Sequence, residues 1–526
     1  MTRGTVSGWI MGFLLATLPL GAAGQRGMMP GAPPPPTAKP APIPKERTAV
    51  THASVTINGQ TIGYTATAGT LLLYNDKQKA TASVFYIAYT KDGISDSSTR
   101  PVTFAYNGGP GGASALVDIG GFGPRRIAWP KVDQYTAYAP PYRLVANADS
   151  ILDSTDLVFV DAVGTGYSQI VGEGTPKMFY GISEDASTFA QFIERYLKHF
   201  HRWDSPKFIL GESYGTTRNA VLADDLVNQG VYLNGVVMCS TVLNFATASF
   251  GPGNDLPYVL YLPSYAAAAW YHHRLSPQPA SLQALLTQVR RFAGGAYAAA
   301  LFAGVNLPPA QEQAVAAQLQ QFTGIPASLW EEAHLRIALG MFRRRLMGSE
   351  GPEIGRYDSR FTGPELEPLL PVPGQDDQEP SSSAVMGAVT ALFDRYVSQT
   401  LNFHSQRIYT ELSYAVGRQW DLTFRAPLGE LSGGGGAPDV APALARAMNN
   451  DPALHVQFNN GYYDMATPFF ATEYTAAHMQ VAPSERGHIE FQYYPVGHML
   501  YVNPEALPML HKNIDAFIAA STPRAQ

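Results

Sequence analysis

The chain has 526 residues, of which 45% are hydrophobic and 15% charged, so a large buried core is expected and wholesale disorder is excluded. Its 36 Lys and Arg against 42 Asp and Glu give a formal net charge of −6, and this balance argues against a nucleic-acid partner. The single cysteine, Cys239, rules out an intrachain disulfide and a cysteine-built metal site, and its apolar neighbours predict a small buried side chain.

Residues 1–25 have the pattern of a secretory signal peptide. Arg3 supplies a positive start, Trp9–Leu20 form a short apolar stretch, and the small residues 21–24 offer a cleavage site. The apolar stretch is shorter than the roughly 20 residues that a bilayer span needs, and an uncleaved N-terminal anchor is the alternative. No later segment is long and apolar enough for a second span, so a secreted or periplasmic protein is predicted.

Residues 26–47 are rich in proline, with four in succession at Pro33–Pro36. Such a segment adopts an extended polyproline conformation with little to pack against, so we predict a linker, with ordered structure beginning near Thr48. The predicted organisation is a signal peptide at 1–25, a proline-rich linker at 26–47, a first core segment at 48–250, a helical cap at 251–437 and a second core segment at 438–526.

The first core segment alternates short β-rich runs with amphipathic helices. Ser83–Tyr89 alternates as an antiparallel strand does, whereas Leu157–Val160 is continuously apolar, as in a strand buried on both faces. Apolar side chains recur at helical spacing over 183–200, and Ser183 is placed to cap that helix. Further strands are predicted at Val102–Tyr106 and Lys207–Leu210. This alternation predicts an α/β protein with a mostly parallel central sheet flanked by helices.

The middle zone is rich in alanine, leucine and glutamine at helical spacing, as in Ala310–Phe322, and contains no convincing strand. Breaks rich in proline and glycine occur at Pro371–Ser383 and Gly433–Gly436. This zone is predicted to be a helical cap over the sheet. The strand–helix rhythm then returns, with strands predicted at Leu454–Phe458 and Ile489–Tyr494 and a closing helix at Glu505–Ala520.

The pentapeptide Gly211–Gly215 has the pattern G-x-S-x-G and lies between a predicted strand and a helix predicted at Thr216–Leu226. In this context the flanking glycines avoid clashes in a tight turn, and the hydroxyl of Ser213 is left exposed above the sheet as a nucleophile. The N-terminus of the helix then presents N–H groups to a developing oxyanion. An ordinary glycine-containing turn is the other interpretation of this pentapeptide.

A serine nucleophile needs a base and an acid that orients the base, and in a sheet of this kind both follow the serine, acid first. Asp464 lies on a glycine turn after the strand predicted to end at Phe458, and His498 follows the strand predicted to end at Tyr494. Other histidines lie in the predicted cap or a helical stretch and are predicted to be structural or exposed: His272, His273 and His478.

A second glycine cluster, Asn107–Gly112, also follows a predicted strand. It lacks the lysine of a phosphate-binding loop, and no dinucleotide-binding motif occurs, so we interpret it as a source of N–H donors to an oxyanion. A third glycine turn, Asp161–Ser168, is predicted to be structural and near the site. The sequence contains no metal-binding spacing, and neither a metal nor another cofactor is predicted.

Together these motifs resemble, in order, those of the serine carboxypeptidase family, peptidase family S10. The likeness rests on Asn107–Gly111, Gly211–Gly215, Gly461–Asp464 and Gly497–Met499, and extends over residues 80–245 and 445–515. The turn at 161–168 is similar to a family segment as well, with Ala162 where the family usually has proline. The resemblance implies an α/β-hydrolase fold and removal of C-terminal residues from peptides. Eukaryotic members have several disulfides and this chain can form none, so it resembles a bacterial-type branch of the family.

The resemblance also implies roles for particular residues. Ser213 is the implied nucleophile, His498 the general base and acid, and Asp464 the partner of His498. The implied oxyanion hole uses the backbone N–H groups of Gly109 and Tyr214.

In the family, the terminal carboxylate of the peptide is bound at positions that are Asn107, Gly108 and Glu212 here. Glu212 must be protonated to donate a hydrogen bond to that carboxylate, so the prediction is activity that favours acid pH. Better-known eukaryotic members carry a second glutamate where this chain has Gly121, which leaves strict exopeptidase action open. Two arginines just beyond it could bind a carboxylate instead or be plain surface residues: Arg125 and Arg126.

The leading hypothesis is an exported serine carboxypeptidase that uses an acyl-enzyme and acts on peptide substrates. An esterase, acyltransferase or broad amidase could use the same triad, but Glu212 and Asn107 favour the peptidase, because a plain esterase has no use for a carboxylate clamp. A non-catalytic binding protein with this fold is expected to lack a triad residue, and all three are present. The sequence gives no indication of side-chain preference or oligomeric state.

Overall fold

The structure is a computed structural model that describes residues 41–131, 139–349, 351–364, 380–427, 431–432 and 437–522. The predicted signal peptide lies outside the described residues, and so does the predicted linker except for residues 41–47. The glycine run at 433–436 and most of the break at 371–383 lie outside them as well. In the described residues, no helix has the length and apolar character that a membrane crossing requires.

Short strands and helices alternate on both sides of a largely helical middle segment. In chain order the strands are β1 (Thr48–Ile57), β2 (Gln60–Tyr74), β3 (Ala80–Lys91), β4 (Val102–Tyr106), β5 (Arg125–Ile127), β6 (Leu144–Ala146), β7 (Asp156–Val160), β8 (Gln169–Ile170), β9 (Lys207–Glu212), β10 (Gly235–Cys239), β11 (Glu353–Ile354), β12 (Thr362–Gly363), β13 (Phe424–Arg425), β14 (Leu431–Ser432), β15 (His455–Gly461) and β16 (Ile489–Tyr494). The α-helices are α1 (Ala115–Val117), α2 (Ile182–His199), α3 (Tyr214–Asn228), α4 (Leu256–Tyr271), α5 (Leu282–Phe292), α6 (Ala298–Ala303), α7 (Pro309–Thr323), α8 (Ala327–Glu332), α9 (Leu339–Arg345), α10 (Pro380–Arg395), α11 (Tyr414–Gly417), α12 (Ala441–Asn450), α13 (Phe469–His478) and α14 (Leu507–Ser521).

One large sheet forms the centre of the fold, in the order β1-β2-β3-β7-β4-β9-β10-β15-β16, with β8 paired to β3. The neighbouring strands β7, β4, β9, β10, β15 and β16 run parallel to one another. Strands β1, β2 and β3 form an antiparallel edge of the sheet. Every residue of β4, β7 and β10 is buried, as in parallel strands that helices cover on both faces. The predicted mostly parallel sheet flanked by helices is confirmed.

Helices cover the sheet on both faces. Side chains of α2, α3 and α12 form one apolar core with the sheet, and side chains of α10 and α14 belong to the core on the other face. The apolar side chains that gave α2 its predicted period are buried in the first of these cores: Phe189, Phe192, Ile193, Tyr196 and Leu197. The period of 3.6 residues therefore identified the helix face that packs on the sheet.

A largely helical segment is inserted between β10 and β15. Helices α4 to α9 share their own apolar core, in which the rings of Tyr265 and Phe342 stack with centroids 3.8 Å apart. Met465, which follows β15, belongs to the same core and joins the inserted helices to the sheet. The segment also contains two antiparallel pairs of two residues each, β11 with β12 and β13 with β14. Such short pairs leave no periodic signal in the sequence.

Two local predictions were wrong. Ser183 does not cap α2, because the helix begins one residue earlier at Ile182 and Gly181 occupies the N-cap position in an extended conformation. The strand predicted to end at Phe458 continues through Gly461, because β16 offers paired backbone partners as far as Tyr494. Asp464 consequently follows the strand more closely than predicted.

Candidate active site

The turn between β9 and α3 places Ser213 in a sterically strained conformation, with φ 58° and ψ −126°. A residue with a side chain adopts such a positive φ only where the surrounding structure enforces it, often at functional sites. A β-carbon at Gly211 would lie 2.2 Å from the carbonyl oxygen of Gly215, so the turn requires glycine there. The strand–turn–helix context predicted for this pentapeptide is present.

The glycine loop after β4 packs directly on the start of α3. A β-carbon at Gly108 would lie 2.4 Å from the backbone nitrogen of Tyr214 and 2.6 Å from that of Gly215. Arg218 of α3 donates a hydrogen bond to the Asn107 carbonyl at 3.0 Å, and its fully buried guanidinium pairs with Asp185 at 2.7 Å. The loop is therefore held against the helix by close packing and by a buried ion pair.

Replacing Gly108 by alanine is expected to disable the site. The added carbon meets backbone atoms that cannot rotate away, so we expect a loss of about 2 kcal/mol in stability and of about 100-fold in kcat/KM from misplaced groups. Thermal unfolding and peptide-hydrolysis kinetics measure the two effects. Gly295→Ala is the matched control, since a β-carbon there has no neighbour within 4 Å. Wild-type kinetics for Gly108→Ala would contradict this packing.

His498 and Asp464 are in direct contact beneath the inserted helices. His498 Nδ1 lies 2.8 Å from Asp464 Oδ2, and both side chains are buried. Asp464 also accepts the N–H groups of Ala466 and Thr467 at 2.7 and 2.9 Å, and the Thr467 hydroxyl at 2.7 Å. These donors fix the carboxylate, which in turn orients the imidazole ring.

Two opposing effects set the pKa of His498. Burial lowers it, but the charge of Asp464 and the hydrogen bond to it raise it more, with a further contribution from Glu212, so the pKa lies above its ordinary 6.5. His498 Nε2, the nitrogen on the far side from Asp464, lies 3.4 Å from Glu212 Oε1. Within the described residues, Ser213 Oγ makes no hydrogen bond. In free enzymes, the hydrogen bond between a catalytic serine and its imidazole is often long, and it shortens only when a substrate binds.

Glu212 and Asn107 form a second buried pair. Asn107 Nδ2 donates to Glu212 Oε2 at 2.9 Å and to the Tyr501 hydroxyl at 3.0 Å, while its Oδ1 accepts the Val117 N–H at 2.9 Å. Burial raises the pKa of Glu212 above its ordinary 4.5, and the charge of His498 and the Asn107 hydrogen bond oppose that rise. A carboxyl held protonated in this way can donate a hydrogen bond to an anion.

A pocket joins these groups. Its wall includes Ser213, His498 and Glu212 together with the three glycine-loop residues Asn107, Gly108 and Gly109. Asp464 lies behind His498, and Tyr214 follows Ser213 at the first position of α3. The structure thus brings all eight residues predicted from the sequence to one place.

The backbone donors predicted for an oxyanion are the N–H groups of Tyr214 and Gly109. Tyr214 is the first residue of α3 and has no helical acceptor for its N–H, and Gly109 has φ 112° in the glycine loop. In the described part of the chain, neither N–H donates a hydrogen bond to another protein group. Two free donors at the edge of a pocket that contains a serine are the requirement for an oxyanion hole.

The structure explains why this chain has glycine at position 121, where better-known members of the family have glutamate. A β-carbon at Gly121 would lie 2.4 Å from the β-carbon of Tyr501, so a larger side chain has no space there. Neither Arg125 nor Arg126 is among the residues that line the pocket. Arg125 and Arg126 lie instead on β5, which forms a separate two-stranded sheet with β6. The structure does not bring the arginines to the site.

Sequence reasoning missed four residues that shape the site. Thr467 and Tyr501 each follow a predicted site residue by three positions, and that proximity is the only signal that marks them. Arg218 is recognisable only as the one basic residue of α3, and Glu411 lies in no motif at all. Thr467 hydrogen-bonds to Asp464, and Tyr501 to the Asn107 side chain. Arg218 hydrogen-bonds to the Asn107 carbonyl, and Glu411 lines the pocket.

One cluster of described residues has side-chain atoms close enough to suit a metal: Asp153, His511 and Asp515. His511 Nε2 lies 3.1 Å from Asp153 Oδ1 and 2.8 Å from Asp515 Oδ2. Burial lowers the pKa of His511, but its hydrogen bonds to the two carboxylates raise the pKa to about 10. A protonated imidazole donates hydrogen bonds to such carboxylates. The cluster is an ion-pair network.

Comparison with known proteins connects this geometry to a family. Residues 59–284 match the family model for serine carboxypeptidases, peptidase S10. Among solved structures, the chain is similar to Kex1(delta)p, a prohormone-processing carboxypeptidase from Saccharomyces cerevisiae, with 15% identity and a TM-score of 0.53 over 87% of this chain and 92% of that one. A proline iminopeptidase from Mycobacterium smegmatis matches with 13% identity and a TM-score of 0.36, over 86% of this chain and 98% of that one. No curated protein matches the sequence.

The fold is that of the α/β-hydrolases, as predicted. Over residues 59–284 the chain is similar to the serine carboxypeptidase family. The family match covers β2 to β10 and therefore includes the glycine loop and the Ser213 turn, whereas Asp464 and His498 lie beyond the matched residues.

Proposed function

We propose that this protein is an exported serine carboxypeptidase that releases C-terminal residues from peptides through an acyl-enzyme. The observation that carries the proposal is the placement of a serine, an imidazole paired with a carboxylate, and the Glu212–Asn107 pair around one pocket. A plain esterase needs the first two features but has no use for the third. Export is supported by the apolar, signal-like sequence of residues 1–25.

In the proposed reaction, Ser213 Oγ attacks the carbonyl carbon of the last peptide bond while His498 Nε2 accepts the serine proton. The N–H groups of Gly109 and Tyr214 stabilise the oxyanion of the tetrahedral intermediate. The C–N bond then breaks, and His498 returns the proton to the departing amino group. Water hydrolyses the ester on Ser213 by the same steps, with His498 first as base and then as acid.

The Glu212–Asn107 pair recognises the C-terminus of the substrate in this proposal. The protonated carboxyl of Glu212 donates a hydrogen bond to the terminal carboxylate. The Asn107 amide donates another by exchanging the Tyr501 hydroxyl for the carboxylate, and the Gly108 backbone supports both groups. Charge-assisted hydrogen bonds of this kind in a buried pocket are strong and geometrically selective. The enzyme therefore distinguishes a peptide with a free C-terminus from one in which the terminus is amidated or lies farther along the chain.

Product analysis by mass spectrometry tests this function. A blocked peptide of ten residues with a free C-terminus is expected to give a ladder of products that shorten by one residue at a time from that end. The same peptide with an amidated C-terminus is expected to give much less product in equal time. Internal cleavage of both peptides at equal rates would replace the carboxypeptidase proposal with an endopeptidase.

The ratio of kcat/KM for a free-acid dipeptide to that for a blocked amino-acid ethyl ester is expected to fall as pH rises from 4.5 to 7.5. The pKa of Glu212 is raised, so the carboxyl remains a donor above its ordinary range, and it repels the substrate carboxylate once it ionises. Protonation of His498 slows both substrates at acid pH, because its pKa is also raised, and this effect cancels in the ratio. The quotient measured across pH therefore removes the contribution of His498. A quotient independent of pH would remove Glu212 from terminal recognition.

A further inference from the structure

Glu411 lies in the inserted segment and lines the same pocket as Ser213, His498 and Glu212. Its Oε2 atom is buried and has no hydrogen-bond partner among the described residues. An unpaired buried polar atom destabilises the folded state, so such atoms are rare and invite a functional explanation. The carboxyl of Glu411 is thus a polar group in the substrate pocket that no other part of the described protein uses.

The backbone around Glu411 is held rigidly by two of the glycine turns. The Ala113 N–H donates to the Glu411 carbonyl at 2.8 Å, and the Ser413 N–H donates to the Gly111 carbonyl at 2.8 Å. On the other side, the Gly166 N–H donates to the Thr410 carbonyl at 2.8 Å. The segment 410–413 therefore bridges the loop that contains Asn107 and the turn at 161–168. The turn at 161–168 thus helps to position the segment that contains Glu411.

The protonation state of Glu411 follows from its surroundings. Burial raises the pKa of Glu411 well above its ordinary 4.5, and the negative charge of Asp161 raises it further. Asp161 accepts hydrogen bonds from the Tyr409 hydroxyl at 2.9 Å and the Ser114 N–H at 2.9 Å, so it is the better-stabilised anion of the two. A neutral Glu411 presents an O–H donor to the pocket, which suits an anionic group and does not suit an ammonium group.

We propose that Glu411 is a second carboxyl donor for the terminal carboxylate of the peptide and, with Glu212, determines specificity for a free C-terminus. This inference rests on the proposed carboxypeptidase function and adds a residue from the inserted segment, outside the family-matched residues 59–284. Two neutral carboxyls and the Asn107 amide together supply three donors to a carboxylate, which has four lone-pair sites. Terminal recognition in this chain thus uses residues from the core and from the insertion.

Glu411→Gln and Glu411→Met test the proposal, because glutamine retains a donor of similar size and methionine has similar volume but no donor. The substrates are an N-benzyloxycarbonyl dipeptide with a free C-terminus and its amidated form. Compared with Glu411→Gln, the methionine variant is expected to raise KM for the free acid about 10-fold or more, while kcat for the same substrate changes little. Glu332→Met is the matched control, since that side chain is exposed on α8.

Labelling by a fluorophosphonate counts folded, reactive sites in each variant, so that every kinetic constant is referred to active enzyme. Equal KM values for the free acid in the glutamine and methionine variants would overturn the role of Glu411. If the methionine variant fails to label, Glu411→Ala is compared with Glu411→Gln by the same criterion. A wild-type enzyme that cleaves neither dipeptide would instead contradict the proposed function itself.

Discussion

Replacing Ser213 by alanine is expected to lower kcat for peptide hydrolysis by at least about 10⁴-fold, because no other group can form the acyl-enzyme. The residual activity comes from the oxyanion donors and from substrate binding alone. KM is expected to change little, since Ser213 Oγ makes no hydrogen bond that organises the described residues. Steady-state kinetics on a blocked dipeptide with a free C-terminus measures both constants.

Covalent labelling checks the same prediction independently of turnover. A fluorophosphonate should label the wild-type protein with one equivalent, and the modified peptide should contain Ser213. Ser328→Ala, an exposed serine on α8, is the matched control and should label as the wild type does. Undiminished peptide cleavage by Ser213→Ala, or labelling of another serine, would place the nucleophile elsewhere.

Asp464→Asn is expected to lower kcat by about 10⁴-fold with little change in KM. Asp464 Oδ2 accepts a hydrogen bond from the Nδ1–H group of His498 at 2.8 Å. The other hydrogen bonds of Asp464 come from the Ala466 and Thr467 N–H groups and from the Thr467 hydroxyl. An asparagine in that position presents its amide to the imidazole and favours the tautomer whose Nε2 carries the proton. Such an imidazole cannot accept the proton of Ser213.

The loss of the negative charge also has a signature in the pH profile. The charge of Asp464 raises the pKa of His498, so the acid limb of kcat/KM for an ester substrate is expected to move to lower pH in Asp464→Asn. Asp204→Asn, at an exposed position, should leave the limb unchanged. An unshifted limb together with normal kcat would show that Asp464 does not act on His498.

Local patterns were sufficient to predict where Ser213, Asp464 and His498 lie relative to the sheet. Each follows a strand, and β9, β15 and β16 are parallel, with β10 between β9 and β15. The carboxyl ends of parallel strands meet at one edge, so side chains just beyond them converge. The short apolar strands and the order of the motifs carry this information locally.

The missed residues depend on contacts between distant parts of the chain. Glu411 reaches the pocket because backbone hydrogen bonds tie residues 410–413 to two glycine turns far earlier in the sequence. Gly121 is explained only by Tyr501, which fills the space beside it. No periodicity records such pairings. The error at Ser183 was of another kind, since a serine near a helix start is a cap only if the helix begins just after it.

The most direct measurement compares a blocked dipeptide with a free C-terminus and its amidated form as substrates, for wild-type protein and Ser213→Ala at pH 4.5 and pH 7.5. The proposed function predicts cleavage that depends on Ser213, that favours the free acid, and whose preference is greater at pH 4.5. Equal cleavage of the two dipeptides would contradict recognition of the terminal carboxylate by Glu212 and Asn107.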